Sequence, residues 1–164
     1  MKRVLLMGLA CAVLAGCDYT VPLVKTPKAE IDTAVIGLWQ SSEANGKIES
    51  LLVLPLSKQE YLVVFPALSK DSLFARGCIW HREALTLVQL DWFGTAHGKL
   101  PEDHRTFQYA SFTIKGDSMT VRLLNPEVVT KDVASSDALA KAILDNKDNP
   151  KLFRDEMVFQ KVKD

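Results

Sequence analysis

From Ile36 onward the apolar residues fall into short runs, each closed by turn-forming residues. The runs are Ile36–Ser41, Ile48–Leu56, Gln59–Phe65, Leu73–Arg82, Leu85–Phe93, Thr106–Lys115 and Met119–Leu124. They are rich in Val, Ile, Leu and aromatic residues, and their length suits strands. Between the first two lies Glu43-Ala44-Asn45-Gly46-Lys47, where Asn-Gly is a strong hairpin signal because both residues accept a positive φ. Ser57-Lys58 and Gly116-Asp117 join two further pairs, and a longer loop, Gly94–His104, holds Gly94, Gly98 and Pro101. Then the period changes. Ser135 or Ser136 is placed to cap a helix, with Asp137 in its positive first turn. Leu139, Ala142 and Ile143 form its apolar stripe, with Leu144 beside it. Asp137 and Lys141 stand at i,i+4, and Lys147 lies at the C-terminal end. Asn149-Pro150 suits the start of a second short helical turn, since proline fits the first helical position. Residues 156–162 alternate enough to form a last strand. The pattern predicts a mainly β chain of about eight strands with one α-helix before the last. Sequential strands across short turns pair antiparallel, so a meander closing into a barrel or half-barrel is expected.

Two runs break the alternation that a water-facing sheet should show. Leu51-Leu52-Val53-Leu54 and Tyr61-Leu62-Val63-Val64-Phe65 are apolar at both parities. Something must then cover the outer face: the helix, a second copy, or another protein. An under-filled inner face would instead be a ligand cavity.

The N-terminal segment follows a different pattern. Lys2 and Arg3 precede an apolar run from Val4 to Leu14, which is shorter than the ~20 residues a membrane span needs. Residues 1–16 read as a signal peptide. Residues 18–34, with Pro22 and Pro27 among charges and threonines, read as an extended tether, and the single globular domain is expected over 35–164.

Leu14-Ala15-Gly16-Cys17 resembles the lipobox of bacterial lipoproteins. The resemblance implies cleavage before Cys17 and a covalent lipid on its thiol. Two or three acyl chains hold a protein essentially permanently, because each buried CH₂ contributes ~0.8 kcal/mol. In the sorting rule of enteric bacteria, Asp at the position of Asp18 keeps such a protein in the inner membrane. The resemblance therefore implies the periplasmic face of the inner membrane, with the outer membrane as the alternative.

Composition narrows the partners. The chain balances 20 basic against 20 acidic residues, and without residues 1–16 the balance is 18 against 20. No basic stripe points to nucleic acid, and no polybasic segment flanks Cys17. Cys11 lies in the signal and Cys17 takes the lipid, which leaves Cys78 without a disulfide partner. Its strand context, Arg76-Gly77-Cys78-Ile79-Trp80, predicts a buried small apolar residue.

Gly37-Leu38-Trp39 resembles the opening of lipocalins and the wider calycins. There the tryptophan plugs the barrel floor and a late basic residue packs on it, a role implied here for Arg154 or Lys161. The lipocalin Thr-Asp-Tyr motif is missing downstream. A longer stretch is similar to short bacterial lipoproteins with no assigned activity, through Gly37-Leu38-Trp39, Glu60-Tyr61-Leu62-Val63, Leu90–Thr95 and 145–153.

No nucleophile elbow, phosphate-binding loop or dinucleotide fingerprint appears. Glu102, Asp103, His97 and His104 share one loop, but Gly- and Pro-containing chain gives them no fixed geometry, so a metal or catalytic role is not expected. His81 reads as a hairpin-turn residue. The sequence therefore predicts no enzyme, no metal and no cofactor beyond the lipid on Cys17. Trp39, Trp80, Trp92, Phe93 and Tyr109 are the candidate ligand or partner surface. Two readings stand: an envelope interaction module that binds another protein or itself, and a lipocalin-like carrier of a small apolar ligand. The carrier needs a cavity in the usual range of ~300–1,000 Å³.

Overall fold

The structure, a computed structural model, describes residues 19–42, 47–98 and 106–163. Eight antiparallel strands close into one barrel, each paired with its neighbours in sequence. They are β1 (Gly37–Ser42), β2 (Ile48–Pro55), β3 (Tyr61–Phe65), β4 (Leu73–Arg82), β5 (Leu85–Thr95), β6 (Phe107–Lys115), β7 (Ser118–Leu124) and β8 (Phe153–Lys161). Among the described residues the one α-helix, α1 (Ser136–Asp145), lies between β7 and β8. The seam is formed by β1 and β8, where Trp39 faces Lys161 and Gln40 faces Gln160.

The two-faced strands are resolved by parity. Leu51, Val53, Tyr61, Val63 and Phe65 point into the barrel, where they meet Leu90, Trp92, Val121 and Met157. Their even-numbered neighbours, Leu52, Leu54, Leu62 and Val64, take the outer face. Register carries this apolar row across strands: Leu38 faces Leu52, Leu52 faces Val64, and Leu54 faces Leu62.

On the opposite side, the outer face is covered. Ser135 caps α1 by accepting the Ala138 amide at 3.1 Å, and the helix buries Leu139 and Ile143 completely. They pack with Trp80, Leu87, Tyr109 and Leu124 in a second core outside the barrel. Burying two such side chains contributes roughly 1.5–3 kcal/mol each, more than propensity gives a helix this short. Lys141 pairs with Asp145 at 2.5 Å, one turn later than the expected Asp137 pairing. Beyond α1, Asn149-Pro150 starts a single hydrogen-bonded turn, in which the Asn149 carbonyl accepts the Leu152 amide at 3.0 Å, and it does not extend into a helix. The last strand begins at Phe153, ahead of the expected 156, because Leu124 and Leu123 of β7 pair with Phe153 and Arg154.

Residues 19–35 are where the structure departs most from the sequence reading. The expected tether is laid against the barrel. Tyr19 is 1% exposed and bonds Phe107 through both backbone groups, at 3.2 and 3.1 Å. Its hydroxyl donates to the Val129 carbonyl at 2.7 Å. Gln89 holds Val24 by accepting its amide (2.9 Å) and donating to its carbonyl (3.1 Å). The Tyr109 hydroxyl donates to the Val21 carbonyl. Prolines gave this stretch its tether-like look, but Tyr19, Val21, Leu23 and Val24 supply the apolar surface that seats it.

Candidate functional site

Strand ends alternate around the barrel, so the turns into β3, β5 and β7 lie at one end. The segment that leads into β1 closes this end as a floor. Asp32 caps a short 3-10 turn, Thr33–Val35, by accepting the Ala34 amide at 2.9 Å. Its own amide donates to the Tyr61 hydroxyl at 2.6 Å, and burial pushes that phenol's pKa up. Trp39 is fully buried and donates its indole N–H to the Val35 carbonyl at 2.9 Å. Lys161 lies over the indole, with Nζ 5.0 Å from the ring centre, and donates to the Ala34 carbonyl at 3.3 Å. Of the two basic residues expected for this place, the structure selects Lys161. Gly37 has φ +139, a region that L side chains rarely adopt, and a Cβ there would meet Lys161 Cε at 3.0 Å. The Gly-x-Trp spacing thus has a physical cause: the glycine gives the lysine its path to the tryptophan.

Above the floor lies a lumen of about 110 Å³. Val63, Leu90, Val121, Met157 and Phe159 build its wall from hydrocarbon. Trp92 shares this wall, and its indole N–H donates to Gln108 Oε1 at 3.2 Å, which satisfies both polar groups. Such a space is suited to a small apolar group and offers no polar chemistry. A second hollow, about 500 Å³, lies under residues 22–27 on the outside of the barrel. Cys78 and Gln89 form part of its base, and the Glu60–Arg76 pair (2.9 Å) stands at its edge. Cys78 is buried, and burial, with Glu60 and Asp91 nearby, pushes its thiol pKa up to about 11. That is the setting of an unreactive structural thiol.

The five aromatic candidates do not form one surface. Trp39 and Trp92 face the interior. Trp80 and Tyr109 face outward but lie beneath α1 and residues 19–24, with Tyr109 edge-on to Tyr19 at 5.2 Å between ring centres. Only Phe93 among the five is strongly exposed. Alternation within each strand divides them, and the inward parity changes from strand to strand, so Trp39 and Tyr109, both odd, and Trp80 and Trp92, both even, are each split between the two cores. His97 is exposed on its loop, 3.5 Å from Asp71. His81 lies near the β4–β5 turn, 2.8 Å from the Thr86 hydroxyl. Among the described residues no three His, Cys, Asp or Glu side chains converge as a metal site. Cys17, Asp18, Glu102, Asp103 and His104 lie outside the described residues.

Fold and lumen together define a lipocalin-like β-barrel. No model of a known protein family matches the chain, and no curated protein matches it.

Proposed function

We propose that this chain is a lipid-anchored cell-envelope module that works by binding and not by catalysis. The anchor reading rests on the apolar run Val4–Leu14 and on Leu14-Ala15-Gly16-Cys17, and Asp18 favours the periplasmic face of the inner membrane. The observation that carries the binding reading is the outer face of β1–β3. An antiparallel barrel in water should be polar there. Instead Leu38, Leu52 and Leu62 are only partly buried, and Leu54 and Leu56 are exposed. Helix α1 covers the far side and leaves Leu38, Leu52, Leu54 and Leu62 of this row accessible around a buried Val64, as a surface for an apolar face of another envelope protein.

The test is photo-crosslinking in living cells, with a photoreactive residue at Leu54 and a control at exposed Arg122. A heteromeric adduct at Leu54, absent at Arg122 and lost in a second chain design carrying Leu62→Asp, supports the reading. An adduct of two copies of this chain makes the partner the protein itself. No adduct at Leu54 overturns the module.

The unfilled lumen favours a second, narrower reading. About 110 Å³ is well under the ~300 Å³ at which ligand pockets usually begin. It is closer to the ~150 Å³ apolar cavity that holds benzene. The barrel would then bind a single ring or the end of one hydrocarbon chain, and not enclose a whole lipocalin-type cargo.

A further inference from the structure

The segment expected to hold the domain away from the membrane is fixed to the barrel, and this has a geometric result. Only Asp18 separates Cys17 from Tyr19. Two residues of extended chain reach at most ~7 Å. Tyr19 itself is held by two backbone bonds to Phe107, a hydroxyl bond to Val129 and an edge-on contact with Tyr109. A lipid on Cys17 would therefore bring the bilayer to the barrel surface beside the start of β6.

The start of β6 belongs to the end of the barrel opposite the Trp39 floor. The β1–β2, β3–β4 and β5–β6 connections share that end. Among the described residues, hydrogen bonds link neighbouring parts of that end. Phe107 follows Thr106, whose carbonyl accepts the Trp92 amide at 3.0 Å. The Ala96 amide donates to the Ser72 carbonyl at 2.8 Å, and the Ala67 amide donates to the Ser50 carbonyl. Along this route three large apolar side chains stand in solvent: Phe93 at 48%, Leu68 at 81% and Ile48 at 63% exposure. Leu68 also has φ +59, a conformation that glycine or asparagine adopts at less strain. The turn thus places a leucine outward where a small residue would suit the backbone better.

We propose that this rim, with Leu68, Ile48 and Phe93 at its tip, rests on the bilayer and fixes the orientation of the barrel, with the Trp39 floor turned away from the membrane. The inference rests on the lipid-anchor reading. Apolar exposure alone does not choose the rim, since Leu56 at the other end is also 48% exposed. The short span from Cys17 to Tyr19 chooses it.

The experiment uses the full chain, processed in cells and reconstituted into phosphatidylethanolamine–phosphatidylglycerol vesicles. Leu68→Cys, Ile48→Cys and Leu56→Cys variants are labelled with a polarity-sensitive thiol dye, with Cys78 buried at 5% exposure as the unlabelled background. Blue-shifted emission at positions 68 and 48, quenched by bromine-substituted acyl chains, with water-like emission at position 56, is the expected result. Water-like emission at all three, in protein whose intact mass shows acylated Cys17, overturns the orientation while leaving the anchor reading intact. An intact mass without acyl chains refutes the anchor, and the orientation falls with it. Two rim positions guard against one variant failing to fold, and near-ultraviolet circular dichroism checks each.

Discussion

Replacing Ala110 with valine tests whether the lumen is vacant. Ala110 is 1% exposed on β6 and forms part of the lumen wall. Two added carbon groups, at ~0.8 kcal/mol each, gain about 1.6 kcal/mol of burial. Given roughly the ~30 Å³ share of a water molecule apiece, they fit a space of about 110 Å³. Valine is stiff at χ1 and favoured in strands, so little entropy opposes the gain. The expected result is a stabilisation of about 1–1.5 kcal/mol, or a Tm rise of about 2–6 °C for a domain of this size. Urea unfolding with an unchanged m-value reads it directly. Benzene should raise the Tm of the parent protein and raise that of Ala110→Val less, because ligand and methyl groups compete for one space. A loss of 1–3 kcal/mol, the usual result of overpacking, would refute the reasoning and make the lumen a filled core.

Three further outcomes follow from the same geometry. Trp39→Ala should destabilise by about 3–5 kcal/mol in urea, as large aromatic truncations do, while Lys161→Gln should lose about 0.5–1 kcal/mol as it removes the cation–π contact together with the bond to the Ala34 carbonyl. Tyr109→Phe removes the hydroxyl that holds the Val21 carbonyl, so limited proteolysis should cut residues 19–32 several-fold faster with the barrel still intact. Cys78 should stay unmodified by thiol reagents at pH 8 until urea opens the fold. Because its folded pKa, about 11, lies above the unfolded value of 9.0, the unfolded chain releases this proton first. Stability from this group is therefore complete below about pH 9 and falls as pH rises toward about 11, and the raised phenols of Tyr61 and Tyr109 act in the same direction.

Much of the barrel was legible because strand signals are local. Turn residues and apolar runs place β4 at Leu73–Arg82 and β6 within a residue of its start, and Ser135 marks the cap of α1. Gly37-Leu38-Trp39 also pointed to a floor with a late basic residue. Other features depended on long-range contacts that no short window contains. Residues 19–35 carry no periodicity, and partners far along the chain, Phe107, Gln89, Tyr61 and Tyr109 among them, fix where they sit. The aromatic set looked like a patch because spacing along a strand does not state which face belongs to which core. Tyr19 and Leu23 among prolines were the available signal, since a solvated tether has no use for a buried tyrosine.

The seam between β1 and β8 joins the first strand to the last, at Trp39–Lys161 and Gln40–Gln160. Closure of this ring must therefore wait until everything from β1 through β8 has emerged from whatever delivers it. Until then β1 presents an open edge, ready to pair with another chain, and Trp39 lacks the lysine that covers it. Because such distant pairing is slow to form, the seam, and not any single hairpin, sets how long the newly made protein is vulnerable.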